Sequence, residues 1–183
     1  MEIKNAQRVS GTRVRAAFLE GFMALAWEEI TRLFEASFRS SLHFSIATVT
    51  SDGLPHVTPI GSLILTQENK GVYFEQFTTQ MPKNFIHQNR VCVLAVNSSR
   101  WFWFKSLLRG RFSTPPALRL TGTVGARRKA TDHELKLWHR RISFLKNLKG
   151  YNLLWKDMLM VREITFDACL PVRLGAMTTE SQS

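Results

Sequence analysis

Residues 45–61 read SIATVTSDGLPHVTPIG. Ser45–Thr50 is apolar and rich in β-branched residues, which suits a pleated strand. Ser51-Asp52-Gly53 follows, and Asp-Gly between two such runs is a strong signal for a tight hairpin turn. The second run carries His56 and Thr58 among apolar neighbours. Pro55 and Pro59 cannot donate to a ladder, so this strand lies at an edge or where pairing is open. Gly61, with no Cβ, lets another group come close to the backbone.

Working outward, Met23–Ser40 has helical period. Leu25, Ile30, Leu33, Phe34 and Phe38 fall near one face, and Glu28, Glu29, Arg32 and Glu35 point elsewhere. After Ser40-Ser41 the period becomes extended. His43–Thr50 is strand one, Leu54–Thr66 a long, interrupted strand two, and Val72–Phe77 strand three after a turn at Gln67–Gly71. Thr78–Asn89 is short and polar, with Pro82 able to open a helix. Val91–Val96 is a buried strand four. Ser98–Pro116 reads as irregular. Ala117–Arg127 is strand five. Thr131 and Glu134 have capping-box spacing, and a helix is expected from there to Leu148, stopped by Gly150. Tyr151–Asp157 is a short helical piece, and Leu159–Phe166 and Pro171–Ala176 are extended. Antiparallel strands with short turns and peripheral helices predict a mainly β or α+β barrel. The expected organisation is an extension over residues 1–22 and one domain over 23–183.

An apolar content of 44% supports a real core and argues against disorder. No apolar run has the length of a membrane span, and no signal peptide is expected. Cys92 and Cys169 sit in strand-like contexts and read as buried thiols of a reducing cytoplasm. No Cys/His spacing suggests a metal site. The formal net charge is +11 and unevenly placed: residues 100–149 hold thirteen Lys/Arg against two Asp/Glu. That field should attract anions, such as a phosphorylated cofactor, nucleic acid or an acidic membrane. The run WFWF at 101–104, read as extended, cannot face one core, because neighbouring strand side chains alternate. It is expected at a partner subunit, a flat ligand or a membrane surface.

The segments IATVTSDGLPHVTPIG (46–61), VYFEQFTTQMPKN (72–84), NRVCVLAV (89–96) and LRLTGTVGARR (118–128), in this order, resemble the pyridoxamine 5′-phosphate oxidase-like FMN-binding split-barrel family. The resemblance runs from about Ser40 to Phe166. It implies an antiparallel split β-barrel with an N-terminal helix, forming a homodimer with flavin at the subunit interface. It places Thr58, Pro59, Ile60 and Gly61 along the isoalloxazine ring. It places Phe77, Thr78 and Thr79, with Lys83 and Asn84 of the following helix, at the phosphate. It also implies that Trp101 and Trp103 of the partner subunit close the site. Two departures stand out. Met81 occupies a position where many members carry lysine. PVRLGAM at 171–177 lacks the Arg-x-His of true pyridoxamine phosphate oxidases, so that activity is not expected.

The implied function is an FMN-dependent oxidoreductase acting on a small molecule, with NADH or NADPH as electron donor. Lys83, Arg119 and Arg173 are candidates to stabilise an anionic reduced ring. The residues leave open a deazaflavin in place of FMN. They also leave open a non-catalytic FMN or haem carrier or sensor, and a basic nucleic-acid-binding protein. No catalytic triad or carboxylate pair appears, which suits chemistry carried by a cofactor.

Overall fold

The computed structural model describes residues 25–155 and 158–178. The expected 1–22 extension lies outside them. Helix α1, Trp27–Ser41, buries Ile30, Leu33, Phe34, Ser37 and Phe38 on one face, and its acidic first turn, Glu28 and Glu29, suits the helix dipole. It stops where Leu42 turns left-handed at φ 63° and donates its N–H to the Phe38 carbonyl.

The hairpin forms as its sequence requires. Strand β1, Phe44–Val49, pairs antiparallel with β2, Pro55–Ile60, and Thr48 stands opposite His56. Gly53 takes φ +83° in the turn. Phe44, Ile46 and Thr48 point inward from β1, whereas only Ile60 of β2 is buried. The expected long strand two breaks after Ile60, and Ile64–Leu65 forms a separate strand, β3, on the other side of the barrel. Then follow β4 (Lys70–Phe74), α2 (Gln80–His87), β5 (Arg90–Val96), α3 (Arg100–Arg109), β6 (Ala117–Val124), β7 (Arg128–Lys129), α4 (Asp132–Arg141), α5 (Lys149–Leu154) and β8 (Met160–Pro171).

The sheet runs β2-β1-β5-β6-β8-β4-β3, and its pairings are antiparallel. Its two end strands, β2 and β3, are joined only by Gly61–Leu63. So short a link reaches about 14 Å from Ile60 to Ile64. The sheet must therefore curl until its ends meet, leaving a slit between β2 and β3. The core fills the barrel, and α1 lies across it with Phe34 stacked on Phe44 at 3.8 Å between ring centroids. A second apolar cluster, with Trp138, Ile142, Tyr151, Met158 and Phe74, seats α4 and the following turns beside β4.

Three expectations are corrected. Residues within Ser98–Pro116 form the helix α3, with Ser99 accepting the Phe102 N–H at its start and Gly110 left-handed at its end. WFWF is helical, so strand alternation does not govern it. The helix after Thr131 ends at Arg141 and not at Leu148, and Gly150 lies inside α5 instead of stopping a helix. The final extended pieces are one strand, β8, and residues Gly175–Thr178 form a 3-10 turn. Cys169 is buried as expected, but Cys92 is only partly so, and both thiols are free.

Candidate functional site

A cleft of about 370 Å³ opens at the slit of the barrel. One wall is the exit of β2: Thr58, Pro59, Ile60, Gly61 and Ser62. The strand's shape there comes from its prolines and from Gly61. A Cβ on Gly61 would stand 2.9 Å from the Leu42 carbonyl, so the close neighbour of this glycine is the chain's own helix end. Ser62 Oγ donates to the Phe74 carbonyl at 3.0 Å and accepts its N–H at 3.1 Å, which pins the link to β4. The opposite wall is apolar, formed by Trp138, Ile142, Phe144, Leu145, Trp155 and Met158. Phe74, Phe77 and Thr78 lie between the walls.

The hydroxyl of Thr78 is buried in this cleft and has no hydrogen-bond partner among the described residues. An unsatisfied buried hydroxyl costs about 1–3 kcal/mol, so a ligand that engages it recovers that loss. Beside it, Thr79 caps α2 with its backbone only; its side chain makes no capping bond, and the first turn holds no acidic residue. A helix N-terminus in that state suits an anionic group. Pro82 falls in this first turn, where its missing N–H costs nothing.

Six of the eleven expected site residues meet here: Thr58, Pro59, Ile60, Gly61, Phe77 and Thr78. Thr79 adjoins them but is not part of the lining, and Lys83 is exposed farther along α2. Asn84 is buried: its amide donates to Thr48 Oγ1 at 2.8 Å, and its carbonyl oxygen accepts from Gln80 at 2.9 Å. Met81, the departure from the family pattern, is fully buried in the barrel core. Trp101 and Trp103, expected at the site from a partner subunit, do not line the cleft of their own chain. Trp103 anchors α3, its indole N–H donating to the Asn97 carbonyl at 2.7 Å, and Trp101 is exposed.

Three cations that the sequence did not place at the site flank the cleft, Arg140-Arg141 having read as a solvated face. A second cavity of about 440 Å³, sharing Phe38, Leu42 and Phe144 with the first, is lined by Arg39, Arg140 and Arg141. Arg141 is buried. It donates to the Leu63 carbonyl and to Glu35, and its guanidinium lies 4.2 Å from the Phe38 ring centre. Arg39 and Arg140 are exposed. Neither Lys83, Arg119 nor Arg173 lines either cavity. The overlooked signal was a basic last turn on each of two amphipathic helices, Arg39 on α1 and Arg140-Arg141 on α4. Among the described residues, no group of three or more His, Cys, Asp and Glu could hold a metal ion, and no helix is long and apolar enough to cross a membrane.

No protein-family model and no curated protein matches the chain. Solved structures do. HupZ of Group A Streptococcus superposes with a TM-score of 0.54 at 15% identity, covering 85% of this chain and 100% of that one. An FMN-binding protein from Syntrophomonas wolfei subsp. wolfei gives 0.53 at 11% identity, covering 95% of this chain and 99% of that one. With its antiparallel sheet open between β2 and β3, the chain has the split-barrel fold that it shares with these two structures.

Proposed function

We propose that the cleft between the β2 exit and α4 binds FMN and that the protein is a flavin-dependent oxidoreductase for a small molecule. The observation that carries this reading is the unpartnered Thr78 hydroxyl, buried in a mostly apolar cleft next to the start of α2. Thr58–Gly61 offer one flat wall, and the Trp138–Ile142 side excludes water from the other. Thr78 and Thr79 would hold the phosphate with the first N–H groups of α2, and Lys83 would add a cation from outside. FMN supplies two-electron hydride chemistry when bound. The duties left to the chain are to bind, orient and bias charge. Arg39 and Arg140 place positive potential beside the cleft, the charge of Arg141 being offset by Glu35, and this favours an anionic reduced ring and draws anionic substrates.

A second copy would complete the site. β2 is an end strand, and Val57 on it and Leu54 just before it stand exposed, which supports a homodimer across this edge. Haem is the weaker alternative, because among the described residues no histidine lines the cleft.

The test is a titration of the purified, flavin-free protein with FMN, followed by fluorescence quenching. Saturable quenching, then bleaching of bound flavin by NADH or NADPH and recovery in air, is expected. A protein that leaves FMN fluorescence unchanged is not a flavoprotein, and one that binds without bleaching by any nicotinamide donor is a carrier.

A further inference from the structure

Helix α3 is fixed to the barrel by one face and turns the other to solvent. On the inner face, the Phe102 and Trp103 rings pack on Phe112 at 5.6 and 5.2 Å, and Ser106 is buried. Trp103 is tied to Asn97, and both ends of the helix are capped. On the outer face Trp101, Phe104, Leu107 and Leu108 are 67%, 58%, 63% and 77% exposed. Their spacing puts them on one stripe about 120° wide. The Trp101 and Phe104 rings stack on each other at 5.9 Å instead of on the protein. Four large apolar side chains held in water on a rigid helix mark a contact surface.

The charge around them selects the partner. Residues 76–131 hold ten Lys/Arg and no Asp or Glu. Arg100, Lys105, Arg109 and Arg111 are exposed and form no ion pair among the described residues. A second copy docking α3 on α3 would set these cations against the same cations. Nucleic acid would meet the charge, but Leu107 and Leu108 have no ring on which a base could stack. An anionic lipid surface satisfies both halves, since acyl chains take the Trp/Phe/Leu stripe and headgroup phosphates take the cations.

We propose that α3 docks this protein on anionic membrane surfaces, with Trp101, Phe104, Leu107 and Leu108 entering the interfacial layer and Arg100, Lys105 and Arg109 meeting phosphates. This is independent of the flavin reading, and the β2 edge stays free for a second copy.

The experiment is sedimentation of the full chain with vesicles of phosphatidylcholine alone or mixed with phosphatidylglycerol. Expected are binding only to the mixed vesicles, release at high salt, and a blue shift of tryptophan emission. The shift is lost in the exposed-face variant Leu107→Ser/Leu108→Ser. Reversing three charges (R100E/K105E/R109E) should lower partitioning by more than about a hundredfold, at about a fivefold loss for each cation removed. Three results would overturn the proposal. One is no sedimentation with phosphatidylglycerol. Another is equal binding by the charge-reversed variant. The last is a fall in the mass of the lipid-free protein on Leu107→Ser/Leu108→Ser, which would assign the face to a second copy.

Discussion

Asn84 donates its side-chain amide to Thr48 Oγ1 at 2.8 Å, which ties α2 to the end of β1. Thr48 is buried and points into the barrel, so its hydroxyl needs a partner. His56 Nδ1 lies 3.4 Å from the same oxygen and 3.4 Å from Thr58 Oγ1, so the contact continues to the cleft wall. Asn84 thus holds the middle of α2 against the hairpin. Asn84→Ala should lower stability by about 0.5–1.5 kcal/mol, because Thr48 Oγ1 loses its shortest hydrogen bond and keeps only the 3.4 Å contacts to the His56 ring nitrogen and carbonyl. Urea unfolding of the ligand-free protein reads this directly. Were Asn84 a phosphate ligand, that curve would barely move and only FMN affinity would fall.

Thr78 should behave in the opposite sense. Its buried hydroxyl has no partner, so Thr78→Val removes an unsatisfied group at nearly constant shape. The ligand-free protein should be as stable as the parent or more so. FMN binding should weaken by about 1–3 kcal/mol if the hydroxyl donates to the phosphate. Thermal unfolding and the FMN titration, run on the same preparation, separate the two effects.

The fold was legible where local chemistry and tertiary need agree. Asp52-Gly53 could only be a turn between two strands, and the Thr131–Glu134 spacing could only begin a helix. α3 was misread because Trp101–Phe104 are bulky residues with strand preference. Its actual signals were Ser99 three residues before Phe102, and Gly110 after the last turn. The end of α4 at Arg141 has no local cause; Ile142 leaves the helix and is buried in the second apolar cluster. Half of the cleft was readable from β2 and from Phe77-Thr78. The rest was not, because which helix faces a sheet slit is decided by packing over long sequence distances. The pairing of Arg141 with Glu35 and Leu63 is of that kind, as is the burial of Met81.

The base of α4 makes stability depend on pH. Glu134 accepts from both Arg128 Nη atoms at 2.9 and 2.7 Å and from the Thr131 N–H at 2.8 Å. The Arg128 hydrogen bonds, opposed by burial and helped by Thr131, hold its carboxyl down at about 2, against an ordinary 4.5. A depressed folded-state value means that the stabilisation is present in full above about pH 4.5. It is lost as pH falls toward 2, when the unfolded chain takes up the proton more readily. Glu134→Gln should remove about 1–2 kcal/mol at pH 7, the paired Arg128 being partly exposed. The variant and parent curves should converge at low pH. Guanidinium unfolding from pH 7 to pH 3 gives both curves, and a constant gap across that range would refute the linkage.

Two glycines should respond to alanine in opposite directions. Gly122 stands at the irregularity where β6 pairs with β8, and a Cβ there would lie 2.4 Å from the Thr165 carbonyl and 3.0 Å from the Phe166 Cα. Both are backbone atoms of a strand paired on its two sides, so neither can swing away. Gly122→Ala should cost about 3 kcal/mol through forced separation of the strands. Gly150 lies within α5, and a Cβ there meets nothing within 4 Å. Gly150→Ala restricts the unfolded chain and favours the helix, so it should add about 0.4–1 kcal/mol. Urea midpoints moving apart in this way would confirm that Gly122 is required by strand contact and Gly150 is not a helix stop. A destabilising Gly150→Ala would show that residues 149–154 do not hold the helical turn on which the second apolar cluster rests.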